Sequence, residues 1–560
     1  MKFKIIFLLF LLLYQTNSYS KNIISKKYNQ KYLSDYFSAN LSYGNQNNEI
    51  AINFFESSKI LLKENGPYFD KYITALVLKG KISKAIKILK KLYKNKENSL
   101  SFDSNLLFVV EDLKSEKFEK AAKKLNRINK LNRASNFEYI IYSSLEDFIY
   151  LFNNKKIKNN SENYGNLTLI NKSLQHCYLN SNETENYFLN LLNSPDGDFA
   201  RYNFFYLSYL IQNKNYSLAN KVSSNLDNLN SSLLVSQAKE WINNKNYDLL
   251  SDYFICKSEN DLLAEFFFLI SNLYSSQNDF KKSNFYLNLS KYLNPKFYFN
   301  ITLEVDNYYK NHMFIDAKNL LKEISEKNII YSWYKIKQNT KIISKLESDE
   351  QAIKYIKNKF SEIENPSNKM IYDMANYFKN KKNFNKAISY YTKLLNVISK
   401  DSIIYSEILY RRGACYERIG KDKESDTDLL NALKIDPEDS YVLNYLGYSW
   451  LERNHNIDEA ITMLKKAYEL NKNDPYIIDS IGWGYYLIND FIKAESYMIK
   501  AIQLMPLDPV VNDHYGDILW KLNRKLEAKY FWENTLELEE TDKDMKKKIL
   551  IKLLQGVPNS

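Results

Sequence analysis

Glycine stands at 413, 447, 482 and 516, at steps of 34, 35 and 34, in a chain with only 12 glycines among 560 residues. Glycine spaced so regularly marks a place where two backbones come too close for a side chain. Small residues keep the same beat. Ser425, Ala460, Ala494 and Ala528 follow the glycines, Ala432, Ala467 and Ala501 form a further series, and Pro437 and Pro506 lie just beyond it. One unit, 476–509, reads YIIDSIGWGYYLINDFIKAESYMIKAIQLMPLDP. Ile478, Ile481, Gly482 and Tyr485 fall at i, i+3, i+4 and i+7, one face of a helix. Asn489-Asp490 interrupts that face. Ala494, Met498 and Ala501 mark a second helix, and Pro506 follows its end, where proline cannot continue it. The unit is a helical hairpin. It cannot bury its apolar face alone, so copies must stack.

Four copies in phase resemble the tetratricopeptide repeat in period and in the placing of small and aromatic residues. The resemblance implies an all-α fold, a right-handed superhelical α-solenoid. Upstream the beat weakens but continues through Ala387, Ala352, Ala317 and Ser283, then Ala219, Ala121, Ala85 and Ala51. About a dozen hairpins are expected, each touching mainly its neighbours. The expected division is a signal peptide at 1–20, degenerate hairpins at 21–150, and an Asn-rich insertion or degenerate repeat at 151–195. A degenerate array at 196–400, a regular block at 401–540 and a capping helix with a tail at 541–560 follow. Glycine and proline are too scarce for a loop-rich all-β protein.

Residues 1–20 read as a secretory leader: a basic MKFK, an apolar IIFLLFLLLY, and Ser18 and Ser20 placed for cleavage before Lys21. Ten apolar residues span roughly 15 Å as helix, about half a bilayer core, so an uncleaved anchor is the weaker alternative. The predicted location is the periplasm, with a place at the outer membrane surface left open. Cys177, Cys256 and Cys415 are odd in number and far apart, without metal-type spacing. A disulfide is open to two of them in an oxidising compartment, but buried thiols are the expectation. Residues 401–560 hold 21 Lys+Arg and 28 Asp+Glu, a net of −7, so 1–400 must carry +19 to leave the whole chain at +12. Lysines that merely solvate helix faces explain this, and so does a basic half drawn to an anionic membrane surface or another acidic partner.

In tetratricopeptide repeats the first helix of each pair lines the concave groove. By that phase the groove near the C-terminus collects Tyr441, Asn444, Tyr448, Tyr476, Asp479, Trp483, Tyr486, Asp513, Asp517 and Trp520. Tyrosine and tryptophan give large contact area at low entropic cost, which suits peptide capture. The alternative is that some of these aromatics pack between adjacent first helices. The lysine–asparagine clamp of chaperone-binding repeats is absent, since its positions hold Tyr410, Asn444, Asp479 and Asp513, and Ala414, Tyr448, Trp483 and Asp517. No zinc-protease, phosphate-loop or nucleophile-elbow motif occurs, and Gly482-Trp483-Gly484 lacks the third glycine of a dinucleotide fingerprint. His514 beside Asp513 is a helix pair without a third group. No enzyme activity, metal or cofactor is expected.

The strings LNYLGYSWLERNHNIDEAITMLKKAYELNKNDPYIIDSIGWGYYL and VNDHYGDILWKLNRKLEAKYFW resemble the C-terminal block of a proteobacterial family of exported repeat proteins. AEFFFLISNLYSSQNDFKKSNFYLNLSKYLNP is similar to its middle region. That group includes an outer-membrane lipoprotein adaptor for a carboxyl-terminal processing protease. The resemblance implies a periplasmic adaptor whose partners are proteins, such as that protease or its substrates. This chain lacks the lipid-acceptor cysteine near its leader. An envelope-assembly or polymer-export factor at the membrane surface is the second reading. RNA binding, as in pentatricopeptide arrays of similar period, is the third. The leader and the acidic C-terminal block argue against nucleic acid.

Overall fold

The computed structural model describes residues 30–557 apart from 63–64, 94–99, 132–135, 160, 196–198, 228 and 326–328. The expected signal peptide lies outside the described residues. Among them are 31 helices and no strand. The protein is an all-α repeat solenoid, divided into two compact units: Met1–Leu226 with Ser231–Glu362, and Asp227–Asn230 with Ile363–Ser560.

In the C-terminal unit, local chemistry sets where each helix starts and turns. Asp439, Asp474, Asp508 and Asp542 each accept two backbone N–H groups at the start of a first helix. Such caps satisfy donors that a helix leaves orphaned, at about 1 kcal/mol apiece. Pro475 and Pro509 begin two of these helices, where a missing N–H costs nothing. The hairpins turn through left-handed residues: Lys382, Gly420, Asn454 together with Asn456, Asn489 and Asn523, with φ of 55°, 72°, 54° and 44°, 64° and 64°. Asparagine tolerates that conformation better than most residues. The Asp542 cap continues the series, so the helix Lys543–Gln555 stands where the first helix of a further repeat would stand.

Packing explains why glycine recurs. A Cβ on Gly447 would meet the Ala460 carbonyl oxygen at 2.8 Å, and one on Gly516 would meet Trp532 Nε1 at 2.4 Å. On Gly413 it would meet Leu429 at 3.1 Å, and on Gly482 the Met498 methyl at 3.2 Å. Gly484, outside the periodic series, is as tight, with Leu464 at 2.9 Å. Ala432, Ala460, Ala467, Ala494, Ala501 and Ala528 are all fully buried. Pro437 and Pro506 each sit in the turn after a second helix. Gly516→Ala is therefore expected to cost about 1–3 kcal/mol, the range for overpacking a filled core. Gly482→Ala should cost less, because a methionine end can swing aside. Urea midpoints of the two variants test this, and equal midpoints would refute the packing account.

In the N-terminal unit the contacts between neighbouring hairpins are joined by others between helices far apart in sequence. The helix Phe280–Leu293 lies against Gly66–Leu78, about two hundred residues earlier in the chain. Asp103 accepts from Tyr286 at 2.8 Å and pairs with Lys282. Asn311 donates to Gln46 at 2.8 Å, and the rings of Phe137 and Tyr274 meet at 4.8 Å. As a result the helix Phe102–Lys114 is buried along almost its whole length. The stretch 151–195 contains two helices, Asn166–Leu179 and Thr184–Leu192, with Leu174, Phe188 and Leu191 fully buried.

Cysteine chemistry also differs from expectation. Cys177 and Cys256 form a disulfide, with Cα atoms 5.4 Å apart, in place of the expected buried thiols. Spacing alone could not show it, because the pair is brought together by helices that are distant in sequence. Cys415 is a free, buried thiol whose pKa burial pushes up to about 11.

Candidate functional site

The aromatic and acidic residues of the C-terminal first helices fall into two groups. Tyr441 and Tyr476 sit at equivalent places just inside their Asp caps and are 53% and 63% exposed. Val510 holds the same place in the next repeat and is also exposed. The Tyr441 hydroxyl donates to Asp474 Oδ2 at 3.2 Å, so this edge is fixed without being covered.

The second group joins one first helix to the next. Trp483 Nε1 donates to Glu452 Oε1 of the preceding repeat at 2.7 Å. Its ring stacks on Tyr486 at 4.4 Å and on His514 of the following repeat at 3.9 Å. His514 Nδ1 lies 2.9 Å from Asp479 Oδ1. Lys552 Nζ reaches Asp513 at 2.6 Å and Asp517 at 2.8 Å, and Asp517 also accepts from Trp532 Nε1 at 3.1 Å. Trp520 is packed between Gly556 and Trp532. Tyr448 and Asn444 are half-buried, and the Asn444 Oδ1 is buried without a hydrogen-bond partner. The structure thus brings Asp479 and Trp483 against His514, with Tyr486 on the far side of the tryptophan. It places Asp513, Asp517 and Trp520 against the last helix, and leaves Tyr441 and Tyr476 open to solvent.

Glu452, Lys552 and the pairing role of His514 were not found by sequence reasoning. The available signal was the Asp542 cap, 34 residues after Asp508, which marks the last helix as one more first helix. Burial works to lower the His514 pKa, but Asp479, with Asp513 and Asp517, outweighs it and holds the imidazole above its ordinary value. Burial raises Asp517 to about 6 against the pull of Lys552. Both shifts follow from packing acids and a histidine into a dry seam between repeats. Among the described residues, no group of three or more His, Cys, Asp or Glu is placed to hold a metal ion. No described helix is long and apolar enough to cross a membrane.

Comparison with known proteins agrees with the repeat geometry. The tetratricopeptide repeat family model matches residues 369–401 and 406–439. These are the helix pairs Asn368–Asn380 with Phe384–Leu395, and Ile403–Glu417 with Asp422–Ile435. The chain therefore carries tetratricopeptide repeats in its C-terminal unit, a class whose surfaces generally bind other proteins. No curated protein matches the sequence. Among solved structures, a thermophilic TPR protein of Thermus thermophilus is 18% identical, over 34% of this chain and 100% of that one, with a TM-score of 0.30. Pseudomonas aeruginosa PilF is 16% identical, over 34% and 93%, with a TM-score of 0.28. PilW, described as a widely conserved type IV pilus biogenesis factor, is 16% identical, over 34% and 88%, with a TM-score of 0.30. Likenesses at this level carry no argument about function.

Proposed function

We propose that this protein is a non-catalytic adaptor of the cell envelope that holds partner proteins on the first-helix face of its C-terminal unit. The observation that carries the reading is the pair Tyr441 and Tyr476. Two large aromatics stand exposed at one repeat's spacing, on a platform locked by the Trp483–His514–Asp479 seam. Rigid exposed aromatics are the usual anchors of protein recognition. A periplasmic site of action is supported by the leader-like start and by the Cys177–Cys256 disulfide, which an oxidising compartment permits. A carboxyl-terminal processing protease, or a substrate delivered to it, is the partner class that the family resemblance favours.

The test is site-specific photo-crosslinking in intact envelopes from positions 441 and 476, with exposed Ile492 on another face as control. The partner is then purified and titrated. Tyr441→Ser/Tyr476→Ser is expected to weaken its binding at least tenfold, a typical loss for aromatic anchors. These exposed positions leave the seam intact. Unchanged affinity, or crosslinks equally strong from 492, would remove the first-helix face as the working surface.

A further inference from the structure

The last helix, Lys543–Gln555, presents opposite chemistries on opposite sides. One side is anchored. Ile549 is fully buried, Lys552 is bonded to Asp513 and Asp517, and Gly556, just past the helix, lies against Trp520. At 100° per residue, Lys543, Lys547, Leu550, Ile551 and Leu554 fall on the opposite stripe. Leu550, Ile551 and Leu554 are 51%, 53% and 86% exposed. Lys543, Lys546, Lys547 and Lys548 are exposed on and beside the stripe. Among the described residues Lys547 is the one of these lysines at ion-pair distance from an acid, the exposed Asp544 at 3.6 Å, and Asp542 also feels the Lys548 charge.

We propose that this stripe is a docking surface for an anionic lipid membrane. The apolar trio occupies the final turns and the lysines the first turns, so the helix offers an apolar tip with cations behind it. Leucine and isoleucine partition into the boundary of the acyl chains, while lysine stems extend so that their ammonium groups stay among lipid phosphates. Each of the two signals is weak alone, and together they give stable attachment. Charge complementarity selects this occupant. Residues 401–560 are acidic overall, yet four exposed lysines are gathered on this one helix. The bonds of Lys552 to Asp513 and Asp517 fix which side faces outward, so the stripe is presented before any membrane is met. This surface is separate from the Tyr441–Tyr476 edge and does not depend on what that edge binds.

The experiment is co-sedimentation of the chain from Lys21, which retains every described residue, with vesicles of phosphatidylcholine alone or mixed with phosphatidylglycerol. Binding is expected to the mixed vesicles and to fall with salt. Ile551→Asp/Leu554→Asp should lower it roughly tenfold, and Lys546→Gln/Lys547→Gln/Lys548→Gln should weaken its salt dependence. The control Ile492→Asp/Leu526→Asp places the same charges on apolar residues exposed elsewhere and should bind as the parent does. Circular dichroism of each variant verifies the fold. The proposal is overturned by a parent that does not bind, or by equal binding to neutral vesicles. It is also overturned if Ile551→Asp/Leu554→Asp binds fully, which would assign the attachment to the basic N-terminal unit. Self-association of the parent in sedimentation velocity, abolished by that same pair of substitutions, would assign the stripe to a second copy instead.

Discussion

Arg201→Leu is expected to remove about 3–5 kcal/mol from the stability of the N-terminal unit, the cost of orphaning one half of a buried ion pair. Glu265 is 2% exposed, and Arg201 grips it with two hydrogen bonds, Nε to Oε1 at 3.1 Å and Nη2 to Oε2 at 2.7 Å. The guanidinium lies over Phe268 at 4.0 Å and Phe299 at 4.8 Å, so leucine would leave the carboxylate facing aromatic rings. Burial already raises the Glu265 pKa, with Arg201 opposing. Without the arginine, the folded state would favour the protonated acid still more. The deficit should therefore shrink as pH falls and grow as pH rises through the raised pKa. Arg201→Leu/Glu265→Leu should recover most of the loss, since apolar pairs often replace buried ion pairs without cost. Hydrogen exchange in the helices Tyr202–Gln212 and Glu259–Ser276 is the readout. Protection unchanged by the single variant would refute the claim.

Opening the Cys177–Cys256 disulfide is the second large effect. The two residues are 79 apart in sequence, and closing a loop of that length restricts the unfolded chain by roughly 4.5 kcal/mol in the entropy model. Cys256→Ser should lower the thermal midpoint of the N-terminal unit by several degrees. A reductant should do the same to the parent and nothing further to the variant. Cys415→Ser is the control, since that thiol is unpaired. Three free thiols in the natively folded protein, counted by alkylation and mass spectrometry, would refute the pairing directly.

The repeat was legible because close helix approach admits few residue types. Gly447 and Gly516 have no room for a methyl group, so sequence and geometry must agree there. The left-handed Asn454, Asn489 and Asn523 and the Asp caps carried a second copy of the same period, less visible because asparagine and aspartate are common elsewhere in the chain. The contact of Phe280–Leu293 with Gly66–Leu78 was not legible, because no local pattern encodes which distant face will cover an apolar helix. The candidate site was legible in part. Helical phase put Tyr441 and Trp483 on the first-helix face, but only neighbouring side chains decide that the tyrosine stays open while the tryptophan bonds Glu452 and stacks on His514.

The way the N-terminal unit turns back on itself bears on how such a gene can change. In the C-terminal unit, successive modules repeat the same glycine and alanine packing positions at a period near 34, so losing or duplicating a module keeps that packing in place. In the N-terminal unit, Asp103 must meet Lys282 and Tyr286, and Cys177 must meet Cys256. An added module between them would carry these partners out of register. The regular repeats thus tolerate a change in number more readily than the N-terminal unit, which is held to a fixed count of helices between these partners.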